Sequence, residues 1–336
     1  MEGSNEPARP QHGATLREAA NEASGGGKRV RPRLLLATYD ALAGPGSPEP
    51  REVAAVLADA VEMLHTAFLA HDDVIDDDQT RRGRPNVAGV YAASARESGA
   101  PATAAHGYGA AAGLLAGDLA LASAFRDVAL CGATTATTAR LLDLFDDSLL
   151  VTAEGELRDV WHSIHRSAEL DDVLVTAELK TAAYSFGLPL RVAALLAGRD
   201  DLDEPLSRLG RSLGVAFQLR DDVLGTFGDP AVTGKPVTSD LRAGRCTALV
   251  AFARTTSAWT RIAPLLGRPD VDEDDLERVR ELLEACGARQ ETEDLAARFE
   301  LEAVELAEQV GLAELVEHVL ALGDASGRRD DATRAA

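Results

Sequence analysis

A cluster of acidic residues at the end of an apolar segment constrains this chain more than any other feature. Residues 52–70 repeat apolar side chains with helical spacing, and residues 72–78 then contain five aspartates. On a helix Asp72 and Asp76 lie one turn apart, so they share a face, with Asp73 beside them. Packed carboxylates repel one another unless a positive group lies among them. A hard divalent cation, which prefers oxygen ligands, fits this pattern.

A solvated, acidic helix end is the alternative interpretation of the same residues. The long apolar segment before the aspartates favours a buried helix that opens onto a cavity. Arg81 and Arg82 follow closely, and their guanidinium groups suit phosphate oxygens. The sequence therefore favours a metal and phosphate site over a plain surface helix.

A second pair of aspartates makes this interpretation more specific. Asp221 and Asp222 end an apolar segment that predicts a helix over residues 208–224, and Lys235 follows. Two helices that end in paired aspartates could face each other and hold several metal ions between them. Metal ions that act as Lewis acids on a bridging diphosphate would help a C–O bond to break.

The composition favours helices. Apolar residues make up 46% of the 336 residues, whereas aromatic residues make up only 4%. An alanine-rich, aromatic-poor chain packs helices closely more readily than it pairs strands. We predict an all-α fold of roughly ten or more helices, with one domain over residues 24–322. One helix is predicted over residues 140–160, and a helix break is predicted near Gly187 and Pro189. Residues 1–23 are predicted to be disordered or to form a short helix, and residues 323–336 to be a disordered tail.

The net charge of the chain limits which kinds of molecule it can bind. A formal net charge of −21 makes a nucleic acid an improbable partner. Anionic substrates would need local cations or metal ions.

No uninterrupted apolar run reaches about 18 residues, so we predict no transmembrane helix. The N-terminus has no apolar signal core, which predicts a cytoplasmic location.

The sequence resembles the trans-isoprenyl (polyprenyl) diphosphate synthase family from about residue 26 to residue 247, with a looser helical tail to about residue 325. The landmarks occur in the order of the family: Gly26–Pro32, His71–Asp76 with Arg81–Gly83, Gly117–Asp118, Lys180–Thr181, Phe217–Gln218, Asp221–Asp222, Gly234–Pro236 and Asp240–Leu241. The resemblance implies an all-α bundle around a deep central apolar cavity, commonly in a homodimer. It also implies three Mg²⁺ ions in each active site.

The resemblance assigns a role to each matching residue. The implied metal ligands are Asp72, Asp76 and Asp221, with Asp73 and Asp222 beside them. The implied ligands of the allylic diphosphate are Arg81, Lys180 and Lys235. The implied ligands of isopentenyl diphosphate are Lys28, Arg31, His65 and Arg82. Thr181 and Gln218 are implied to line the pocket in which the allylic cation forms.

The implied reaction is a head-to-tail condensation that gives an all-trans polyprenyl diphosphate. The allylic C–O bond ionises, the double bond of isopentenyl diphosphate attacks the cation, and the departing diphosphate takes a proton. In the family, the residues four and five places before the first aspartate help to set product length. Here they are the bulky Phe68 and the small Ala67. This pair predicts the C20 product geranylgeranyl diphosphate, with the C15 product farnesyl diphosphate or a longer chain as alternatives.

Two other functions compete with this one. A class I terpene cyclase also ionises an allylic diphosphate, but it has no need of Lys28, Arg31 and Arg82. A non-catalytic subunit of a heteromeric synthase would not need the intact aspartates. One departure from the family concerns the second acidic motif, because Gly225 stands where many members carry a third aspartate.

Overall fold

The chain is helical over most of the residues that the computed structural model describes, which are 16–20, 29–81, 83–228 and 239–327. Within those ranges the only strands form a hairpin of two-residue strands, β1 (Thr80–Arg81) and β2 (Arg84–Pro85). The predicted all-α class is confirmed.

From Val30 onward, the described helices occur in the following chain order. The first seven are α1 (Val30–Leu42), α2 (Arg51–Ile75), α3 (Val87–Glu97), α4 (Ala102–Ala129), α5 (Thr135–His165), α6 (Leu170–Ala177) and, after a π-helix at Glu178–Gly187, α7 (Leu188–Ala197). A 3₁₀ turn at Asp200–Leu202 leads into α8 (Asp203–Phe227), α9 (Ser239–Ala243), α10 (Ala248–Arg254), α11 (Trp259–Ile262), α12 (Glu273–Ala285), α13 (Ala288–Val310) and α14 (Ala313–Gly327).

Local side chains explain where several helices begin and end. Asn86 starts α3 by accepting a hydrogen bond from the backbone N–H of Gly89, which satisfies one of the free donors of the first turn. Thr134 and Asp272 start α5 and α12 in the same way. Gly198 ends α7 with a φ of 73°, a left-handed conformation that costs glycine little.

The described chain divides into two compact units. Asp59–Asp127 belong to one unit, and Val30–Ala58 belong to the other together with the chain from Val128 onward. In the second unit Leu209 and Leu213 of α8 pack in one buried cluster with Leu306 of α13. Burial of each leucine contributes roughly 2 kcal/mol, so this contact fixes the position of α8. The single domain over residues 24–322 stays a prediction.

One predicted helix break is wrong. The sequence placed it near Gly187 and Pro189, but the helix continues from the π-helix into α7. The N–H of Leu188 donates to the carbonyl of Ala183, five residues back. Pro189 lies in the first turn of α7, where its missing N–H costs little. The last helix runs to Gly327, five residues into the predicted tail.

Two helices are long and apolar enough to cross a membrane when only length and composition are considered. They are α2, whose most apolar window is 67% buried, and α4, whose window is 39% buried. Core helices of soluble proteins pass the same test, so it carries little weight. The absence of a transmembrane segment stays a prediction.

Candidate active site

The acidic end of α2 is held by an arginine from the hairpin. After Ile75 the chain turns back through β1, and Arg81 donates from Nε to Asp73 Oδ1 over 2.8 Å and from Nη2 to Asp72 Oδ2 over 2.8 Å. Gly83 allows the tight return with a φ of 71°. The positive group expected among these carboxylates therefore includes Arg81 itself.

Burial decides the electrostatics of this pair. Burial raises the pKa of Asp73 above its ordinary value, although the hydrogen bonds from Arg81 act in the opposite direction. Burial also disfavours the charged guanidinium of Arg81 more than any single contact favours it, but its hydrogen bonds and charge interactions with Asp73 and Asp72 together outweigh burial and raise the pKa of Arg81. Asp73 is thus a buried partner of Arg81, whereas Asp72 and Asp76 are only half-buried.

Neighbouring side chains hold the rest of the acidic run. His71 Nε2 lies 3.3 Å from an oxygen of Asp118, and His106 Nε2 lies 3.2 Å from an oxygen of Asp77. The ring of His71 packs directly on Gly117, where any larger side chain would overlap it. The run is therefore fixed on both sides of its ligand candidates, Asp72 and Asp76.

The donor set at this helix end fits a magnesium ion. Among the described residues no three His, Cys, Asp or Glu side chains converge to hold a metal ion by themselves. Mg²⁺ is commonly bound by one or two carboxylates, with water and substrate phosphates as its other ligands. Half-buried Asp72 and Asp76 meet that requirement. On the same helix His65 and Ala67 are buried, and Phe68 is half-buried.

The second acidic pair lies on α8 in a different environment. Asp222 is buried, whereas Asp221 is exposed. Gln218 donates from Nε2 to Asp222 Oδ1 over 2.9 Å, and Thr181 donates from Oγ1 to Gln218 Oε1 over 2.9 Å. A chain of neutral donors therefore links the π-helix to the buried carboxylate. Asp221 lies on the exposed side of α8 and is the ligand candidate of this pair.

Lys180, on the π-helix, lies between two carboxylates that were not predicted from the sequence as site residues. Its Nζ lies 2.8 Å from Glu156 Oε2 and 2.7 Å from Asp159 Oδ2, both on α5. The sequence predicted that α5 would end near Val160, but it continues to His165. The available signal was Gly155, because a glycine inside a helix often marks a close approach of two backbones.

Three glycines let other helices touch the π-helix backbone. A methyl group at Gly155 of α5 would overlap the backbone of Lys180. Methyl groups at Gly210 and Gly214 of α8 would overlap Gly187 and Ala182. The π-helix is therefore fixed on two sides by direct contact with the backbone. This contact fixes the backbone from which Lys180 and Thr181 extend.

Arg31 of α1 also binds the π-helix. It donates from Nε and Nη2 to Ser185 Oγ over 3.1 and 2.7 Å, and from Nη2 to the Tyr184 hydroxyl over 3.3 Å. Three of the predicted cationic ligands, Lys28, Arg82 and Lys235, lie outside the described residues. The structure thus brings Lys180, Thr181 and Gln218 together, and Arg31 of α1 contacts the same π-helix.

Comparison with known proteins identifies the family. The family model described as polyprenyl synthetase matches residues 14–283. A geranylfarnesyl diphosphate synthase of Aeropyrum pernix is 34% identical over 82% of this chain and 81% of its own length. A (2E,6E)-farnesyl diphosphate synthase of Mycobacterium bovis is 33% identical over 85% of this chain and 75% of its own length.

A solved structure agrees with both sequence comparisons. The crystal structure of geranylgeranyl pyrophosphate synthase from Corynebacterium glutamicum, complexed with isoprenyl diphosphate and magnesium, has a TM-score of 0.83 at 29% identity. The match covers 94% of this chain and 98% of that one. The predicted family and enzyme class are confirmed: the chain belongs to the polyprenyl synthetase family of prenyl-transferring enzymes.

Proposed function

We propose that this enzyme condenses isopentenyl diphosphate with an allylic diphosphate, head to tail, and releases an all-trans polyprenyl diphosphate. The observation that carries the proposal is the hydrogen-bond chain between the π-helix and α8, which runs from Thr181 through Gln218 to Asp222. Lys180 precedes Thr181 on the π-helix, and Asp221 precedes Asp222 on α8. A cation, hydroxyl and amide oxygens, and a carboxylate pair are the groups needed to bind a diphosphate and to face an allylic cation.

Magnesium is the proposed cofactor, with three ions in each active site. Asp72, Asp76 and Asp221 are its proposed ligands, and bound Mg²⁺ would neutralise the leaving diphosphate as a Lewis acid. The magnesium in the related Corynebacterium glutamicum structure supports this assignment. Asp73 and Asp222, which are buried and hydrogen-bonded, would keep their neighbours in position.

The other side chains have binding and orienting roles in this proposal. Arg81, Lys180 and Lys235 bind the allylic diphosphate. Lys28, Arg31, His65 and Arg82 bind isopentenyl diphosphate. The oxygens of Thr181 and Gln218 face the carbon on which positive charge develops, and the departing diphosphate accepts the proton that the product loses.

The proposed product is geranylgeranyl diphosphate, with 20 carbons, because the family sets product length four and five places before Asp72. Phe68 is half-buried and has a bulky ring, whereas Ala67 is buried and small. One ring with a small neighbour suggests a floor of intermediate depth. The curated relatives are named for both shorter and longer products, so this position is worth testing directly.

A homodimer is the proposed assembly. Four large apolar side chains lie 60–68% exposed along α5 with helical spacing: Leu150, Leu157, Trp161 and Ile164. A stripe of this kind is typical of a surface that another subunit covers. We also propose that the protein is cytoplasmic.

The test of this function is incubation of the full chain with isopentenyl diphosphate, Mg²⁺ and each allylic starter in turn, with products sized by mass spectrometry. We expect a 20-carbon product that requires both substrates. Conversion of an allylic diphosphate alone to a cyclic hydrocarbon would show a cyclase instead.

Product length has its own test in Phe68→Ala. Removal of the ring should extend the product to 25 carbons or more, because the growing chain would no longer meet it. Ala67→Gly, which changes the neighbouring position without removing a ring, is the matched control. An unchanged product from a folded, active Phe68→Ala variant would exclude Phe68 as the floor.

A further inference from the structure

We propose that Ser185 is a positioning residue that orients Arg31 toward the diphosphate of isopentenyl diphosphate. This inference rests on the proposed function, in which Arg31 is a ligand of that substrate. It assigns a role to a π-helix side chain that does not itself need to touch either substrate.

The first observation is the unusual partner set of Arg31. Its guanidinium is half-buried, and its acceptors in the described part of the chain are the hydroxyl groups of Ser185 and Tyr184. The carboxylates that pair with nearby arginines are absent from this set: Arg29 pairs with Asp59 and Arg51 with Asp40. Neutral acceptors leave the positive charge of Arg31 unneutralised, which favours the binding of an anion.

The second observation is the direction that these contacts impose. Ser185 Oγ accepts from Nε and Nη2 along one edge of the guanidinium plane, and the Tyr184 ring lies 5.0 Å below its central carbon. The hydrogen bonds leave the two N–H groups of Nη1 for another acceptor. Because the guanidinium is planar and rigid, fixing one edge fixes the direction of the other.

The third observation is the burial of the serine. Ser185 is only 2% exposed and Tyr184 only 7%. A buried hydroxyl has few rotameric choices and keeps its partner in one geometry. Arg31 alone, on a long side chain with several rotatable bonds, would lose that direction in solution.

The π-helix gives this contact a further meaning. Lys180 and Ser185 are five residues apart. In an α-helix such residues point about 140° apart, whereas in a π-helix they stack along one side, because each N–H bonds five residues back. The lysine proposed for the allylic diphosphate and the serine that orients Arg31 thus belong to one rigid segment. One element would then set the spacing between the two diphosphates.

The test compares Ser185→Ala with wild type in steady-state assays with Mg²⁺, isopentenyl diphosphate and farnesyl diphosphate. We expect the KM for isopentenyl diphosphate to rise roughly ten-fold, which is the loss of a hydrogen bond to a charged group. The KM for farnesyl diphosphate should stay within about two-fold. Ser185→Thr, which keeps the hydroxyl, should restore most of the affinity.

Ser212→Ala is the matched control. Ser212 is a buried serine on α8, 1% exposed, whose hydroxyl donates to its own helix at the carbonyl of Arg208. The same truncation there should leave both KM values within about two-fold of wild type.

A double-mutant cycle separates positioning from general packing. If Ser185 acts through Arg31, then Ser185→Ala adds no further rise in the KM for isopentenyl diphosphate once Arg31→Ala is present. If Ser185→Ala does not fold, Tyr184→Phe replaces it and should give a smaller shift in the same direction. An additive cycle, or an equal rise of both KM values, overturns the inference while the proposed function stands. A wild-type protein that does not elongate overturns the proposed function and this inference together.

Discussion

The acidic ends of α2 and α8 each carry two adjacent aspartates, one of which is buried. The partner of the buried aspartate differs between the two ends. On α2 the buried Asp73 is bound by the charged Arg81, whereas on α8 the buried Asp222 is bound by the neutral Gln218. A buried carboxylate with a charged partner depends strongly on that partner, because desolvation costs are high. The comparison teaches that similar motifs can be stabilised by unlike means.

The largest expected effect is a loss of turnover, and it should be similar at the two acidic helix ends. Asp72→Ala and Asp221→Ala should each lower turnover by a factor of about a thousand, since each removes a proposed metal ligand. Excess chelator should abolish the activity of the wild type. Steady-state product formation with added Mg²⁺ measures both effects.

Asp147→Ala on the exposed side of α5 is the control for a general change of charge, and it should retain wild-type turnover. Full activity in excess chelator would contradict the proposed metal dependence. A large loss in only one of the two variants would show that the ends are unequal in catalysis as well as in structure.

The second effect concerns Arg81, the charged partner of the buried Asp73 on α2. Arg81→Met should lower the free energy of unfolding by about 3 kcal/mol, because it leaves the buried Asp73 without its cation. Urea denaturation in chelator and without substrate measures this effect. The double variant Arg81→Met/Asp73→Asn should recover part of the loss, since it also removes the charge.

The smallest effect concerns Gln218, a neutral partner of the buried Asp222 on α8. Gln218→Leu removes hydrogen bonds to Asp222 and Thr181 and should lower the free energy of unfolding by about 1 kcal/mol under the same conditions. A loss equal to that of Arg81→Met would remove the distinction between the two ends.

The fold was largely predictable because helical periodicity is a local property. The helix that carries the second acidic pair was predicted over residues 208–224 and spans Asp203–Phe227. Both aspartate pairs were found from sequence because their residues are adjacent in the chain. The roles of these aspartates stay predictions.

The contacts of the site were not predictable to the same degree. Glu156 and Asp159 meet Lys180 only because α5 and the π-helix pack together. Ser185 meets Arg31 across 154 residues of chain. The π-helix itself has no signal in residue spacing, so the sequence predicts a helix break at Gly187 and Pro189.

The close contacts between glycines and the π-helix limit which amino-acid substitutions this chain can accept. Gly155, Gly210 and Gly214 touch it without any intervening side chain, so even alanine would push two backbones apart. Gly44, in contrast, has no atom near the place of a missing methyl group. In a saturation library the three contact positions should therefore accept glycine alone, while Gly44 accepts many residues. Substitutions at those three positions would be prevented by the lack of space alone, because a glycine has no side chain whose chemistry must be preserved.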